Sequence, residues 1–509
     1  MFIDGRQIAE GTILETDLAI IGAGAAGITL ARQLSGKDMS IALIESGGFD
    51  FDAEVQDLYD GETIGVPYTI DTSRLRYFGG STNHWGGWCR PLEAIDFEAR
   101  DWVPHSGWPI TRAELDPFYD RATKVCQLGS TEFDNAQAWS NDGKNRMMAF
   151  PGGDIMTRFF LYSPPTRFGQ KYRNDIGTAP NIKTYLNANV TEIVPDATGQ
   201  TVEKLSVATL TGRRFEIRPK YCILATGGIE NARMLLLSHS IVKKGLGNAH
   251  DIVGRYFMEH PHVDAPAQMV FTDISDMAAW YPARVAYGDT HVRGVFMHSA
   301  DYLRREKRLG TIMTIHRSRP ITALDPLLAN GERPLEPSLL HLTRSTTSHA
   351  APDENLGVLF GTGCATEQAP NPQSRVTLST DKDALGLPRT RMDWRLTAED
   401  RENLRRNFEA LARAFGRWGE GRVRILFPHK DKWEEAEGWG NHHMGTTRMS
   451  ADPHHGVVNA DCKVHGMNNL YIAGSSVFTT SGTINPTLTI VALALRLADH
   501  VEARMTRGA

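Results

Sequence analysis

The sequence predicts an α/β protein: a discontinuous domain on parallel strands, joined to a second α+β domain on a mainly antiparallel sheet. Three observations carry that prediction. Short apolar runs end in glycine turns and lead into helical patterns. These units occur near both ends of the chain and again near its middle. Between them lie strand-like segments and one long amphipathic helix. A chain of 509 residues is long enough for two or more structural units.

The first unit begins at Asp17-Leu-Ala-Ile-Ile-Gly22, an apolar run that reads as a buried parallel strand. Residues 25–35 follow as a helix with Ile28, Ala31 and Leu34 on one face, stopped by Gly36. A second strand, Ile41-Ala-Leu-Ile44, ends at Glu45. The turn between the first strand and the helix is Gly22-Ala-Gly24-Ala-Ala26-Gly27. Its glycines permit a tight turn, close approach of a pyrophosphate, and close helix packing. The helix start offers free N–H groups to phosphate. Glu45 lies roughly 20 residues past the turn, where a ribose-binding acid is expected. The domain is therefore Rossmann-like, and the turn is a dinucleotide cradle that suits NAD or FAD.

Two later segments favour FAD. Tyr221-Cys-Ile-Leu-Ala225-Thr-Gly227-Gly228 is another buried strand with a glycine turn, followed by the helix IENARMLLL. Asn469-Leu-Tyr-Ile-Ala-Gly474 is a third strand, followed by Ser475 and a closing helix from Pro486 to about Met505. Strands from distant parts of a sequence converging on one cofactor are expected of a flavoprotein domain. That domain is assigned to residues 1–110, 180–262 and 440–509. Residues 111–179, rich in irregular sequence, are read as a lid or connecting segment. Residues 263–439 form the second domain. In it Arg375-Val-Thr-Leu-Ser and Met392-Asp-Trp-Arg read as strands. Ala398 to Trp418 reads as a helix with Leu404, Phe408, Leu411 and Phe415 in register. Residues 300–350 read as a long excursion, an oligomer contact or access loop.

Composition excludes several classes. The chain is 41% hydrophobic and 23% charged, with a formal net charge of -5. That balance gives no bulk attraction to nucleic acid or anionic membrane. No stretch approaches the roughly 18 unbroken apolar residues of a membrane span. The first residues have neither a basic region nor an apolar segment, so no signal peptide and a cytoplasmic location are expected. The five cysteines are scattered and form no C-x-x-C, which argues against iron–sulfur, c-type haem and zinc-ribbon sites. His442-His443 and His454-His455 are adjacent pairs without an acid-rich partner set, so no metal is expected.

At this point the chain resembles the glucose–methanol–choline (GMC) oxidoreductases, a family of FAD-dependent alcohol oxidases and dehydrogenases. The resemblance runs through Gly22 to Glu45, Gly79-Gly80-Ser81-Thr-Asn83-His84-Trp-Gly-Gly, and Ala225 to Arg233. It continues through Gly254-Arg-Tyr-Phe-Met-Glu-His-Pro261, Pro370 to Val376, His442 to Met449 and Gly474 to Thr489. Within the family it is most similar to the sugar-oxidising branch, including pyranose oxidases, glycoside 3-oxidases and gluconate or fructose dehydrogenases.

The resemblance implies oxidation of a secondary hydroxyl of a sugar or glycoside to a ketone, with hydride transfer to flavin N5. The proton acceptor maps to His442, three residues before Gly445, with His443 as its rival. Histidine suits that role near neutral pH. Asn485 maps to the second catalytic position. Its local sequence also reads as a helix N-cap before Pro486 and Thr487. The helix start would then face the flavin and favour its anionic reduced form. The segment Gly79 to Gly87 is implied to wrap the flavin ring, with Trp85 and Trp88 as pocket or packing residues. His84 stands where some relatives attach the flavin covalently. Val190 lies on the implied adenine-binding strand. Ser475 departs from the acid that many members carry, so a hydroxyl or backbone N–H must serve there. The implied partners are a small-molecule alcohol, with O2, a quinone or another acceptor taking the electrons; oligomerisation is left open. The alternatives are a non-sugar alcohol, a flavin-dependent lyase or decarboxylase, and a non-catalytic FAD-binding subunit.

Overall fold

The computed structural model describes residues 1–140, 147–271, 277–322, 355–427 and 437–507. Two large sheets organise them. The first has eight strands. Ile13–Ile21 lies at its centre, with Ile41–Ile44 on one side and Arg214–Leu224 on the other, both parallel to it. Ile182–Leu186 and then Phe2–Asp4 extend the parallel part outward. Leu18, Ala19 and Ile20 are fully buried, as a strand covered on both faces requires.

The far edge of Arg214–Leu224 is shared. Its first half pairs antiparallel with Val202–Ala208, which pairs in turn with Asn189–Pro195. Its second half pairs in parallel with Leu470–Ile472. The chain's last strand therefore enters the same sheet as its first, and both glycine turns open at one end of it.

The helix Ala25–Gln33 covers this sheet and packs against the closing helix Thr487–Arg507. A third helix, Arg112–Val125, lies along the closing helix. Tyr119 Oη meets Thr489 Oγ1 at 2.9 Å, and Arg121 grips Asp499 through two bonds of 2.6 and 3.0 Å.

The second sheet has nine strands, all antiparallel, among them Pro261–Phe271, Thr290–His298, Thr311–Thr322 and Asn355–Thr366. The helix Ala398–Trp418 packs against it as its periodicity predicts. Thr397 and Asp400 form a reciprocal cap at its start, and Gly419 ends it with φ 87°. Leu404, Phe408, Leu411 and Phe415 are buried.

Three features add to or differ from the sequence reading. Residues 111–179, read as a lid or connecting segment, contribute the strand Ile155–Tyr162 to the nine-stranded sheet, paired with Thr290–His298 and Trp88–Cys89. Its apolar residues Phe159, Phe160 and Leu161 are buried there. Arg375–Lys382 and Pro388–Trp394 do not enter the large antiparallel sheet. They form a three-stranded sheet with Gly61–Gly65, which pairs in parallel with Pro388–Trp394. Of the expected excursion at 300–350, residues 300–322 form a short helix and a strand, and 323–354 lie outside the described residues.

Candidate active site

One cavity runs along the ends of the parallel strands of the first sheet, where open α/β sheets bind ligands. Its wall contains Gly22, Gly24, Ala26 and Glu45 from the first unit. Gly80, Ser81 and His84 come from the second glycine-rich segment, and Val190 from a neighbouring strand. Ala225 and Gly227 come from the middle turn. Gly474, Ser475, His442, Asn485, Pro486 and Thr487 come from the C-terminal part. Three expected cofactor residues stand behind the wall instead. Gly27 packs under Gly22, Gly79 N–H bonds to the Ala23 carbonyl at 2.8 Å, and Asn83 bonds to the Phe78 carbonyl at 3.0 Å.

The residues at the first turn fit a dinucleotide phosphate. Gly22 has φ +100°, the left-handed region. A Cβ on Gly27 would lie 1.9 Å from the Gly22 carbonyl oxygen, so helix and turn touch through bare backbone. A Cβ on Gly24 would meet no protein atom within 4 Å and would project into open space. Gly24 also caps the Ala25–Gln33 helix without a side-chain bond, leaving that helix start uncapped on the cavity wall. Glu45 accepts from Ala23 N–H at 2.8 Å and from Gly47 N–H at 3.1 Å, so its carboxylate also braces the turn.

A buried ionic cluster lies beside this end of the cavity. The Glu230 carboxylate meets Arg74 and Arg76 at 3.3 Å each and Arg233 at 2.9 Å. Asp383 takes Arg233 at 2.7 Å. Burial would raise the Glu230 carboxyl, but Arg233, Arg76 and Arg74 outweigh it and hold it down to about 2. Sequence reasoning assigned no role to these residues. Glu230 and Arg233 lie inside a family segment, but the cluster forms only when distant segments fold together.

At the other end stand His442 and Asn485. His442 Nε2 lies 3.1 Å from the Asn485 side-chain nitrogen. The helix Thr487–Arg507 begins after Pro486, and Ile490 N–H bonds to the Pro486 carbonyl. Pro486 thus holds the cap position and Asn485 precedes it. The side-chain nitrogen of Asn485 turns to His442.

His443 points elsewhere. Its Nε2 lies 2.7 Å from Tyr68 Oη, its ring packs near Phe257, and its carbonyl accepts the Ser475 hydroxyl at 2.6 Å. That bond commits the Ser475 hydroxyl away from a ligand. Burial, reinforced by Arg74, pushes the His443 imidazole down to about 3.

Two side chains behind His442 complete the site. Glu259 accepts the backbone N–H groups of His442, of Gly440 at 3.0 Å and of His260 at 3.2 Å. Burial raises its carboxyl to about 8 despite those donors. His260 Nδ1 lies 2.9 Å from His442 Nδ1. Burial lowers the His260 imidazole to about 4 and holds His442 well below the usual histidine value, which favours the neutral form of both rings. The sequence contained Glu259 and His260 inside a family segment, but nothing local gave them a task. Among the described residues, no group of three or more His, Cys, Asp or Glu side chains is placed to hold a metal ion, and no helix is long and apolar enough to cross a membrane.

A glycine cradle suited to a dinucleotide and a histidine paired with an amide share one cavity wall, an arrangement that suits an oxidoreductase. Residues 370–494 match the family model described as GMC oxidoreductase. The chain is 24% identical to the 2-methyl-1,2-propanediol dehydrogenase of Mycolicibacterium austroafricanum, over 97% of this chain and 96% of that protein. It is 23% identical to the fructose dehydrogenase large subunit of Gluconobacter japonicus, over 97% and 99%. Its fold is similar to that of a formate oxidase crystal structure, with TM-score 0.59 and 16% identity over 98% and 100% of the two chains. The chain is thus similar to the GMC oxidoreductases, through residues 370–494 and through relatives that span nearly its whole length, and is an FAD-dependent enzyme acting on CH–OH groups.

Proposed function

We propose that this enzyme oxidises a secondary hydroxyl of a sugar or glycoside to a ketone, with His442 taking the hydroxyl proton. The observation that carries this reading is the pairing of His442 Nε2 with the Asn485 amide on the wall of the cofactor cavity. A side-chain amide nitrogen can only donate, so His442 Nε2 is an acceptor. It is the lone pair a general base needs. Asn485 has no basic lone pair at neutral pH. Its task is to hold the substrate oxygen beside His442 and to stabilise charge that develops there.

FAD, bound along the cavity, supplies the hydride acceptor. The uncapped helix start at Gly24 and the Ala23–Ala26 backbone would receive its pyrophosphate, with Glu45 toward a ribose. Val190 would border the adenine. The Gly80–His84 segment would border the ring system. His84 is exposed on that wall. A covalent link through His84 is tested by acid denaturation: colour that stays with the chain in the wild type and is lost in His84→Ala marks such a bond.

The sugar reading draws on the fructose dehydrogenase relative, and the 2-methyl-1,2-propanediol dehydrogenase relative favours a non-sugar alcohol as the second reading. The experiment is anaerobic. The flavin band of the purified protein is followed during addition of sugars, glycosides and simple diols. Bleaching by a sugar or glycoside supports the first reading, and bleaching only by diols supports the second. His442→Ala is expected to slow bleaching about 10²–10⁴-fold, the usual contribution of a general base. Bleaching at the wild-type rate in that variant rejects His442 as the base. Readmitted air then separates an oxidase, whose colour returns rapidly, from an enzyme that needs another acceptor.

A further inference from the structure

The His260–His442 contact has a direction that follows from hydrogen-bond chemistry. His260 Nε2 faces two backbone carbonyls, Gly482 at 2.9 Å and Ser481 at 3.3 Å. Carbonyl oxygens only accept, so His260 carries its hydrogen on Nε2. A neutral imidazole with that hydrogen has a bare Nδ1. That bare nitrogen lies 2.9 Å from His442 Nδ1. A single hydrogen occupies this gap, and it belongs to His442. His442 Nε2 is then bare, which is the state the donating Asn485 amide requires from the opposite side. Two independent sets of partners thus select one tautomer.

We propose that His260 is a positioning residue that fixes His442 with its hydrogen on Nδ1 and takes up part of the positive charge when His442 is protonated. This proposal rests on His442 being the base. When the substrate O–H bond breaks, its proton forms an N–H bond at His442 Nε2. The Nδ1 hydrogen of His442 then moves toward His260 Nδ1, so one positive charge is shared by two rings. No electrons change hands in this step. The His260 ring that receives the charge still donates Nε2–H to the carbonyls of Gly482 and Ser481, whose oxygens are the negative ends of their dipoles. Glu259 keeps the geometry by holding the backbone N–H groups of both histidines. The geometry is buried: His260 is 1% exposed.

The test is the 15N spectrum of the FAD-loaded, histidine-labelled protein near neutral pH, in which bare and hydrogen-bearing ring nitrogens are far apart. His442 is assigned by the signals lost in His442→Gln. The expected wild-type result is a bare Nε2 and a hydrogen-bearing Nδ1 at His442, with the opposite tautomer at His260. A His442 ring with hydrogen on Nε2, or charged, overturns the proposal without any variant. Two substitutions give the second readout. His260→Leu removes the acceptor, and is expected to shift His442 toward a tautomer mixture and slow anaerobic flavin bleaching about 100-fold. His260→Asn places an amide oxygen near the lost Nδ1, and is expected to restore the tautomer and recover the rate to within about tenfold. An unchanged tautomer and rate in His260→Leu overturn the positioning role. If His442→Ala also bleaches at the wild-type rate, the base assignment itself has failed, which is a separate outcome.

Discussion

One carboxylate oxygen of Glu259 accepts the backbone N–H of His442, and the other oxygen accepts from Gly440 and from His260. Asn441, between the two bonded positions, has φ 58°, a conformation that costs a non-glycine residue free energy. The bonds that Glu259 accepts from Gly440 and His442 hold the chain in that bend, and the bend delivers His442 to Asn485 while His443 turns to Tyr68.

Glu259 gives a pH prediction. Burial raises its carboxyl to about 8 in the folded protein, against about 4.3 for an unfolded glutamate. The folded state therefore binds this proton more tightly than the unfolded chain. The resulting stabilisation is full below about pH 4.3 and is lost as pH rises through about 8. Asp96, also raised to about 8 by burial and then Glu367, adds a slope of the same sign. Glu259→Gln keeps a neutral group but loses an acceptor, so it is expected to be less stable at pH 5 by about 1–3 kcal/mol. Its melting temperature should fall less steeply than the wild type's between about pH 5 and pH 9. Parallel melting curves across that range would show that the Glu259 proton does not contribute.

Asn485→Asp tests the polarity of the pair with His442. The substitution replaces a donor facing Nε2 with an acceptor. His442 must then carry a hydrogen on Nε2 and becomes a cation paired with the introduced carboxylate. A base already protonated takes no substrate proton, so anaerobic bleaching should fall by about 10²-fold or more at neutral pH. The loss should be partly relieved at high pH, where the imidazolium gives up its proton. Asn485→Ala removes only one hydrogen bond and should show no such relief. A pH-independent loss of equal size in both variants would mean that Asn485 acts only by packing.

Much of this site was legible in the sequence wherever one short segment does one job. The strand, turn and helix from Asp17 to Gln33 follow from apolar runs and glycine spacing, and so does the helix Ala398–Trp418. His442 and Asn485 became legible through a family pattern, and the structure brings them to 3.1 Å. What the sequence hid is made by long-range pairing. The strand Ile155–Tyr162 has no signal that says which sheet it joins, because apolar strands suit either. Arg74 and Glu230, 156 positions apart, carry no common motif. His260 gains its task only from the carbonyls of Ser481 and Gly482, and no residue type marks a carbonyl that will be free.

Two of the three glycines at the first turn, Gly24 and Gly27, separate folding from cofactor binding. Gly24→Ala adds a Cβ in open space at φ -85°, which alanine adopts without strain. The protein freed of FAD should melt within about 1 kcal/mol of wild type, since no contact is disturbed. Its FAD affinity should drop, because the methyl group occupies the approach to the helix start. Gly27→Ala instead forces a Cβ within 1.9 Å of the Gly22 carbonyl oxygen. It should destabilise the FAD-free protein by about 3 kcal/mol or more, through overpacking against backbone. Titration with FAD and melting of the stripped protein distinguish the two. Equal melting temperatures would mean that the helix shifts off the turn at little cost.

The buried ionic cluster supplies the last prediction. Glu230 faces three guanidinium groups, Arg74, Arg76 and Arg233, and Asp383 balances only Arg233. Glu230→Gln removes the charge at nearly constant volume. Arg74 and Arg76, both buried on the cavity wall, then lose the carboxylate they share, and only Glu45 still faces Arg76. Breaking a buried pair in this way costs about 3–5 kcal/mol. An anionic pyrophosphate in the cavity would offset part of that excess positive charge. The variant should therefore lose more stability when FAD is stripped than when it is bound, and the gap between its two melting temperatures should exceed the wild-type gap. Raising the salt concentration should change the stripped variant little, because buried charges are poorly screened. A variant that loses the same stability with and without FAD would show that the arginines answer only to Glu230 and not to the cofactor's phosphates.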